Sequence, residues 1–322
     1  RLNYYQNMLS GWDVKQIHID TGYSYNDNIK CFSILAKRKN AKLIGHDHGV
    51  GNFVSWNPDK ADSEKQYKGF TTIHFCDYYL AWGSYEITQG EAWNNVENVD
   101  DIKIINNGSV YLSNLTKWKK STVNKKDIVL FYVSGPLRIF SASLQEVTPE
   151  NNFEIRKNVL RMLEKLLRNH FNLNILYKTF MGIGSSNDPI TEILSEHFDQ
   201  GRVKLTNAPP IELMPEVDIA FFDMISTGFA EAIQIGVPTL VYSNEFDYEL
   251  ASNEGKTIND ELENCGIVFY DTESGIKSFE RIVNDLNGFQ QASKEPIRRF
   301  QEAVAYPVSK KEFLKSIDKK IE

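Results

Sequence analysis

A chain of 322 residues, 41% of them apolar, exceeds a typical single domain and can bury a sizeable core, so two domains are expected. A charged fraction of 25% and a net charge of −7 fit a soluble protein and argue against broad nucleic-acid affinity. No window approaches the run of about 20 apolar residues that a spanning helix needs. Cys31, Cys76 and Cys265 are far apart and odd in number, which points to a reducing, cytoplasmic setting rather than a disulfide framework. The chain opens at Arg1 without a signal-peptide pattern, as a trimmed chain or a piece of a longer one would.

In chain order, Val14–Asp20 reads as a strand, TGYSYNDN as a loop, Ile29–Asn40 as a helix and Ala41–Gly49 as the next strand with its exit. That is a βαβ unit with Asn26 or Asp27 as helix cap. It places Asp20 and His46 to His48 on one edge of a parallel sheet, where ligands collect. Further strands are expected in CDYYLAWGS and IKIINNGS. Leu115–Asp127 is basic and aperiodic and reads as a linker. Its lysines fit either a solvated segment or a peripheral contact with an anionic membrane that presents an acceptor.

The pattern then restarts. Strand IVLFYVS precedes a helix over Phe153–His170, strand LNILYKTF and a helix over Ile190–Phe198. Strands RVKLT and VDIAFFD, helix GFAEAIQIG, and strands VPTLVYS and GIVFYD follow, with helices over Ser274–Leu286 and from Pro296 onward. The fold class expected is α/β: two facing doubly wound Rossmann-like domains. Their expected extents are 1–120 and 121–290, with C-terminal helices over 291–322 that stay on the second domain or pack back on the first.

The strongest local signal lies where the strand ends at Asp223 and the turn Ser226-Thr227-Gly228 opens a helix that Gly236 and Pro238 stop. Free N–H groups and a positive dipole end suit a phosphate there, and Glu231 can reach a ribose or sugar hydroxyl. The same residues also read as an N-cap and a favourably placed acid with no ligand.

Helix STGFAEAIQIGVP resembles the nucleotide-sugar-binding element in the second domain of GT-B glycosyltransferases. NAKLIGHDHGVGNF, followed by CDYYLAWGS, resembles a subset that builds bacterial surface polysaccharides, capsule and lipopolysaccharide. That subset includes the retaining Kdo (3-deoxy-manno-octulosonic acid) transferases that use CMP-Kdo. Their pattern is a Gln-His-Gly-Gly loop followed by an Asp-x-x-x-x-Trp-Gly strand. Here Asp47 replaces Gln and Val50 the second Gly, while Asp77, Trp82 and Gly83 keep the rest. GYSYNDNIKCFSILAKRKNAKLI is similar to the same family's aromatic loop and helix start.

The resemblance implies a nucleotide sugar, CMP- or NDP-linked, as substrate on the second domain, and a glycan or lipid-linked glycan acceptor on the first. It implies neither cofactor nor bound metal. Transfer builds negative charge on the leaving oxygen, for which Ser134, Gly135, Lys178, Ser226, Thr227 and Gly228 are candidates. Lys178 alternatively faces solvent from its strand, and Ser134-Gly135 alternatively forms a simple turn. His48 is the candidate for acceptor activation, since imidazole titrates near neutrality. Asp20 and Asp27 are candidate carboxylates for a covalent glycosyl-enzyme, Asp27 alternatively a first-turn acid. Tyr23, Tyr25, His46 and Trp56 are candidate sugar contacts. His46 and His48 share a face that also suits a metal, with a structural His46 as the other reading. A teichoic-acid-type transferase using CDP-glycerol, and a non-catalytic carbohydrate-binding relative, are the alternatives to sugar transfer.

Overall fold

The computed structural model describes residues 2–19, 26–47, 49, 76–83, 103–118, 120, 122–123, 126–135, 149–178, 188–243, 248 and 253–321. Short apolar runs form two sheets. β1 (Gln16–Ile19), β2 (Lys42–His46), β3 (Tyr78–Ala81) and β4 (Lys103–Asn106) make a four-stranded sheet in that order. β5 (Ile128–Val133), β6 (Leu173–Lys178), β7 (Val203–Leu205), β8 (Ile219–Phe222), β9 (Thr239–Tyr242) and β10 (Val268–Phe269) make a six-stranded sheet in the order β10-β9-β8-β5-β6-β7. Every pairing is parallel, which explains why β3, β8 and β9 are buried along their whole length: helices cover both faces.

In the larger sheet the chain winds outward from β5 in one direction and from β8 in the other. The β5/β8 boundary is therefore a switch point, the place where open α/β sheets take their ligands at the carboxyl ends. Val133 pairs with Phe222, so Ser134 and Asp223 leave the sheet side by side.

The helices are α1 (Leu2–Ser10), α2 (Asp27–Lys37), α3 (Val110–Ser113), α4 (Pro149–Asn169), α5 (Ile190–Ile193), α6 (Ser195–Asp199), α7 (Pro210–Leu213), α8 (Thr227–Ile235), α9 (Asn253–Asn264), α10 (Thr272–Asn284), α11 (Leu286–Val304) and α12 (Lys310–Lys320). α4 buries Val159, Leu160, Leu163 and Leu167 at helical spacing against the sheet. Phe229 of α8 meets Phe300 of α11 edge to face at 5.1 Å, which ties the late helices to the second core. α12, opened by a Ser309–Glu312 capping box, instead lays Phe313, Ile317 and the following Ile321 on Ile44, Tyr78, Leu80 and Ile105 of the first sheet.

Three segments differ from expectation. The helix expected over Ile190–Phe198 is two short ones, because Leu194 (φ −105°, ψ 15°) leaves helical geometry. The helix expected from Pro296 begins at Leu286, capped by Asp285, whose side chain accepts the Gly288 N–H at 2.9 Å. Pro296 removes only the bond to the carbonyl of Ala292, an exposed residue whose oxygen water can satisfy. The basic stretch after Leu115 is docked: Trp118 donates its backbone N–H to the Ile235 carbonyl (2.8 Å) and its indole N–H to the Val217 carbonyl (2.9 Å). Lys120 pairs with the fully buried Asp218 at 3.0 Å, and Lys117 donates to the Gln234 carbonyl. No described helix is long and apolar enough to cross a membrane.

Candidate functional site: the crevice between the two sheets

At the switch point, the Ser134 N–H and hydroxyl both donate to the Lys178 carbonyl, at 3.0 and 3.1 Å. The Gly135 N–H donates to Asp223 Oδ1 at 2.5 Å. A Cβ on Gly135 would lie 2.8 Å from Met224 Sδ and 3.1 Å from Asp223 Oδ1, so a side chain there would have to move the Met224 thioether and crowd the Asp223 carboxylate. Asp223 Oδ2 accepts from the Tyr132 hydroxyl (2.8 Å) and from Arg156 Nε (3.1 Å). The same guanidinium donates to the Tyr177 hydroxyl (2.6 Å), Asp188 (2.7 Å) and the Gly135 carbonyl (2.8 Å). Arg156 is 3% exposed; a charge so buried persists because carboxylates and hydrogen bonds surround it. Burial pushes the Tyr132 and Tyr177 phenols up, so both stay protonated donors.

Beyond Asp223, Ser226 caps α8 by accepting the Phe229 N–H at 3.4 Å, and Gly236 closes the helix with φ +91°. The Thr227 and Gly228 N–H groups head the helix without intrahelical partners, an arrangement that favours an anion. Glu231 Oε1 accepts from the Tyr111 hydroxyl at 2.7 Å, across from the first half of the chain. Burial raises the Glu231 carboxyl pKa, and the Tyr111 bond offsets part of that rise. Tyr111 in turn stacks on Trp82, ring centroids 6.3 Å apart.

On the first sheet, Asp47 is buried and accepts from the Tyr79 hydroxyl (3.3 Å) and the Trp82 N–H (3.2 Å), locking the β2 exit to that of β3. His46 Nε2 lies 2.7 Å from His18 Nδ1 on β1. The two nitrogens share one proton, one ring donating and the other accepting. Partial burial lowers the His18 pKa. Among the described residues, no cluster of three or more His, Cys, Asp or Glu side chains is arranged to hold a metal. Gly49, with φ +142°, is packed so tightly that a Cβ there would stand 2.0 Å from Thr227 Oγ1. The loop leaving β2 therefore abuts the N-terminus of α8.

The structure thus brings Gly49, Thr227 and Ser226 together, and sets Ser134, Gly135 and Asp223 beside one another. Lys178 does not face solvent: it is 9% exposed and donates to the Asn207 carbonyl at 3.0 Å. No described contact carries it to the head of α8. Asn26 is the α2 cap, accepting the Asn28 N–H at 3.0 Å, and Asp27 is an exposed first-turn acid 3.4 Å from Lys30. Asp20, Tyr23, Tyr25, His48 and Trp56 lie outside the described residues. Arg156, Asp188 and Tyr111 were not anticipated. Arg156 had a signal, a cation on the apolar stripe of α4 with Val159 and Leu160; for Tyr111 the sequence offers none.

A family model described as LIC12162 family transferase matches residues 2–292. No curated protein matches the chain. Among solved structures, the UDP-GlcNAc 2-epimerase of Neisseria meningitidis bound to UDP-GlcNAc superposes with TM-score 0.55 at 14% identity, over 99% of this chain and 79% of that one. The pneumococcal O-GlcNAc transferase GtfA in complex with UDP and GlcNAc gives TM-score 0.54 at 13% identity, over 99% and 59%. UGT71G1 of Medicago truncatula complexed with UDP-glucose gives 0.53 at 10%, over 99% and 78%. At such identities these likenesses show the fold, the GT-B arrangement of two Rossmann-like halves. The family match spans most of the sequence and supplies what fold alone does not: the chain belongs to the LIC12162 family of transferases.

Proposed function

We propose that the chain is a glycosyltransferase that moves a sugar from a nucleotide donor to a growing surface glycan, free or lipid-linked. The observation that carries this reading is the abutment of Gly49 on Thr227, which sets the β2 exit of one Rossmann-like half against the anion-favouring head of α8 in the other. A donor phosphate at that head receives the Thr227 and Gly228 N–H groups and the helix dipole, which stabilise the charge developing on the leaving oxygen. Glu231, one turn further, takes a donor hydroxyl. His48, next to Gly49 in sequence, activates the acceptor hydroxyl as general base, and Asp20 is the carboxylate for a covalent intermediate.

The similarity of the β2 loop and the β3 strand to Kdo transferases favours a CMP-linked, Kdo-like donor. UDP, carried by the fold relatives named above, is the competing nucleotide. Thermal unfolding with CMP, UDP and CDP-glycerol separates the donors, because a nucleotide at a hundred times its dissociation constant adds about 2.7 kcal/mol of stability. A selective shift with CMP, and donor turnover lost in His48→Ala, are the expected results. No shift with any nucleotide would remove the transferase reading from this crevice; turnover that survives His48→Ala would remove His48 from the mechanism.

A further inference from the structure

Glu231 is half-buried near the head of α8, and Tyr111 is its hydrogen-bond partner among the described residues. The two are unequal in how easily they part. Tyr111 is 42% exposed and sits on α3, a single turn held by the Ser109 cap, so its hydroxyl can turn to water. Glu231 is the more deeply set of the two: it is half-buried on the longer helix α8, and although burial affects the Tyr111 hydroxyl too, it penalises the Glu231 charge directly. A desolvated carboxylate that loses its donor requires another in the same place. Neutral O–H and N–H donors replace a phenolic O–H on a carboxylate oxygen without adding charge, and a ligand hydroxyl does so without the ordering cost of a trapped water. Such donors are abundant on ribose and on hexose-like sugars.

We propose that Tyr111 is a displaceable stand-in for a ligand hydroxyl: it holds Glu231 while the crevice is empty and yields it to a ribose or sugar hydroxyl of the nucleotide donor. The proposal rests on the nucleotide-donor reading above and deepens it, since it makes donor binding an exchange of partners on Glu231. The bond joins α3, which follows the first sheet, to α8 of the second. The exchange therefore also releases one tie between the halves. Trp82, stacked on Tyr111, loses or re-forms its neighbour in the same event.

Calorimetric titration of CMP and UDP into the wild-type chain, Tyr111→Phe, Glu231→Gln and the double variant tests this. Thermal unfolding of the same four proteins with and without nucleotide accompanies it. A stand-in competes with the ligand, so Tyr111→Phe should tighten binding by about fivefold, the factor that one ordinary net hydrogen bond represents. Coupling between the two substitutions should appear in unfolding without nucleotide and vanish at saturation. Weaker or unchanged binding by Tyr111→Phe, with the wild type still binding, overturns the proposal and leaves the nucleotide reading intact. Coupling that persists at saturation overturns it as well. If neither the wild type nor Tyr111→Phe binds a nucleotide, the donor reading fails and the proposal falls with it.

Discussion

Arg156 holds Asp223 through Nε at 3.1 Å and Nη2 at 3.0 Å while donating to the Gly135 carbonyl, so a side chain from α4 fastens the exits of β5 and β8 to each other. Because Asp188 shares the guanidinium, removing the cation strands two buried carboxylates. Arg156→Met should lower stability by about 3–5 kcal/mol in urea denaturation. Adding Asp223→Asn should recover part of that loss. A single-variant loss of less than about 1 kcal/mol would mean that the network is incidental.

Gly49→Ala places a methyl against Thr227 and forces an L-residue to φ +142°. The expected loss is about 1–3 kcal/mol of stability, with weakened donor turnover as the β2 loop is pushed off α8. Thr227→Ala in the same chain should relieve the contact but not the backbone strain, giving partial recovery. Gly11→Ala, where a Cβ meets nothing within 4 Å, is the control and should leave both measurements unchanged.

Acid should loosen the His18–His46 pair. The pKa of His18 is lowered below 6.5 in the folded chain, so the unfolded state takes up its proton first. The contribution is present above 6.5 and is lost as pH falls through the folded value. Equilibrium unfolding followed across that window should show stability declining on acidification, and His18→Gln should flatten the slope. An unchanged slope in His18→Gln would assign the decline to other groups.

Trp118→Ala removes the indole bond to Val217 and the aromatic contact that docks the connecting segment. Local release costs about 1–2 kcal/mol on ordinary hydrogen-bond values, so trypsin cleavage after Lys117 and Lys120 should accelerate by about tenfold. Cleavage at the wild-type rate would show that other contacts hold the segment.

Most of the scaffold was legible because parallel strands announce themselves as apolar runs and α8 carries its own boundaries, Ser226 at one end and Gly236 at the other. These are local signals, set by backbone chemistry within a few residues. Bonds closed across long stretches of chain were not legible: Tyr111 meets Glu231 120 positions away, and Arg156 meets Asp223 67 positions away. The docking of Lys120 on Asp218 is of the same kind, since a lysine in a basic stretch looks solvated until its partner's burial is known. Pro296 misled in the opposite sense. Proline is usually a boundary, yet an exposed carbonyl one turn earlier let the helix continue through it.

Among the described residues the backbone passes between the sheets twice, once through the segment docked by Trp118 and again where Tyr306 donates its N–H to Trp82 (2.8 Å) and accepts from Ser109 (2.7 Å). A Cβ on Gly83 would stand 2.2 Å from the Ala303 carbonyl, so the end of α11, just before the second passage, is pressed against the chain leaving β3. Two anchored passages act like a pair of door pins, so the expected soft motion, once the Gly49–Thr227 and Tyr111–Glu231 contacts part, is a swivel about the line that joins them. Under the proposed function, donor binding and release are expected to follow that one angular coordinate. A pair of fluorophores placed far from that line should report a single opening mode, whereas a pair beside Trp118 should report almost none.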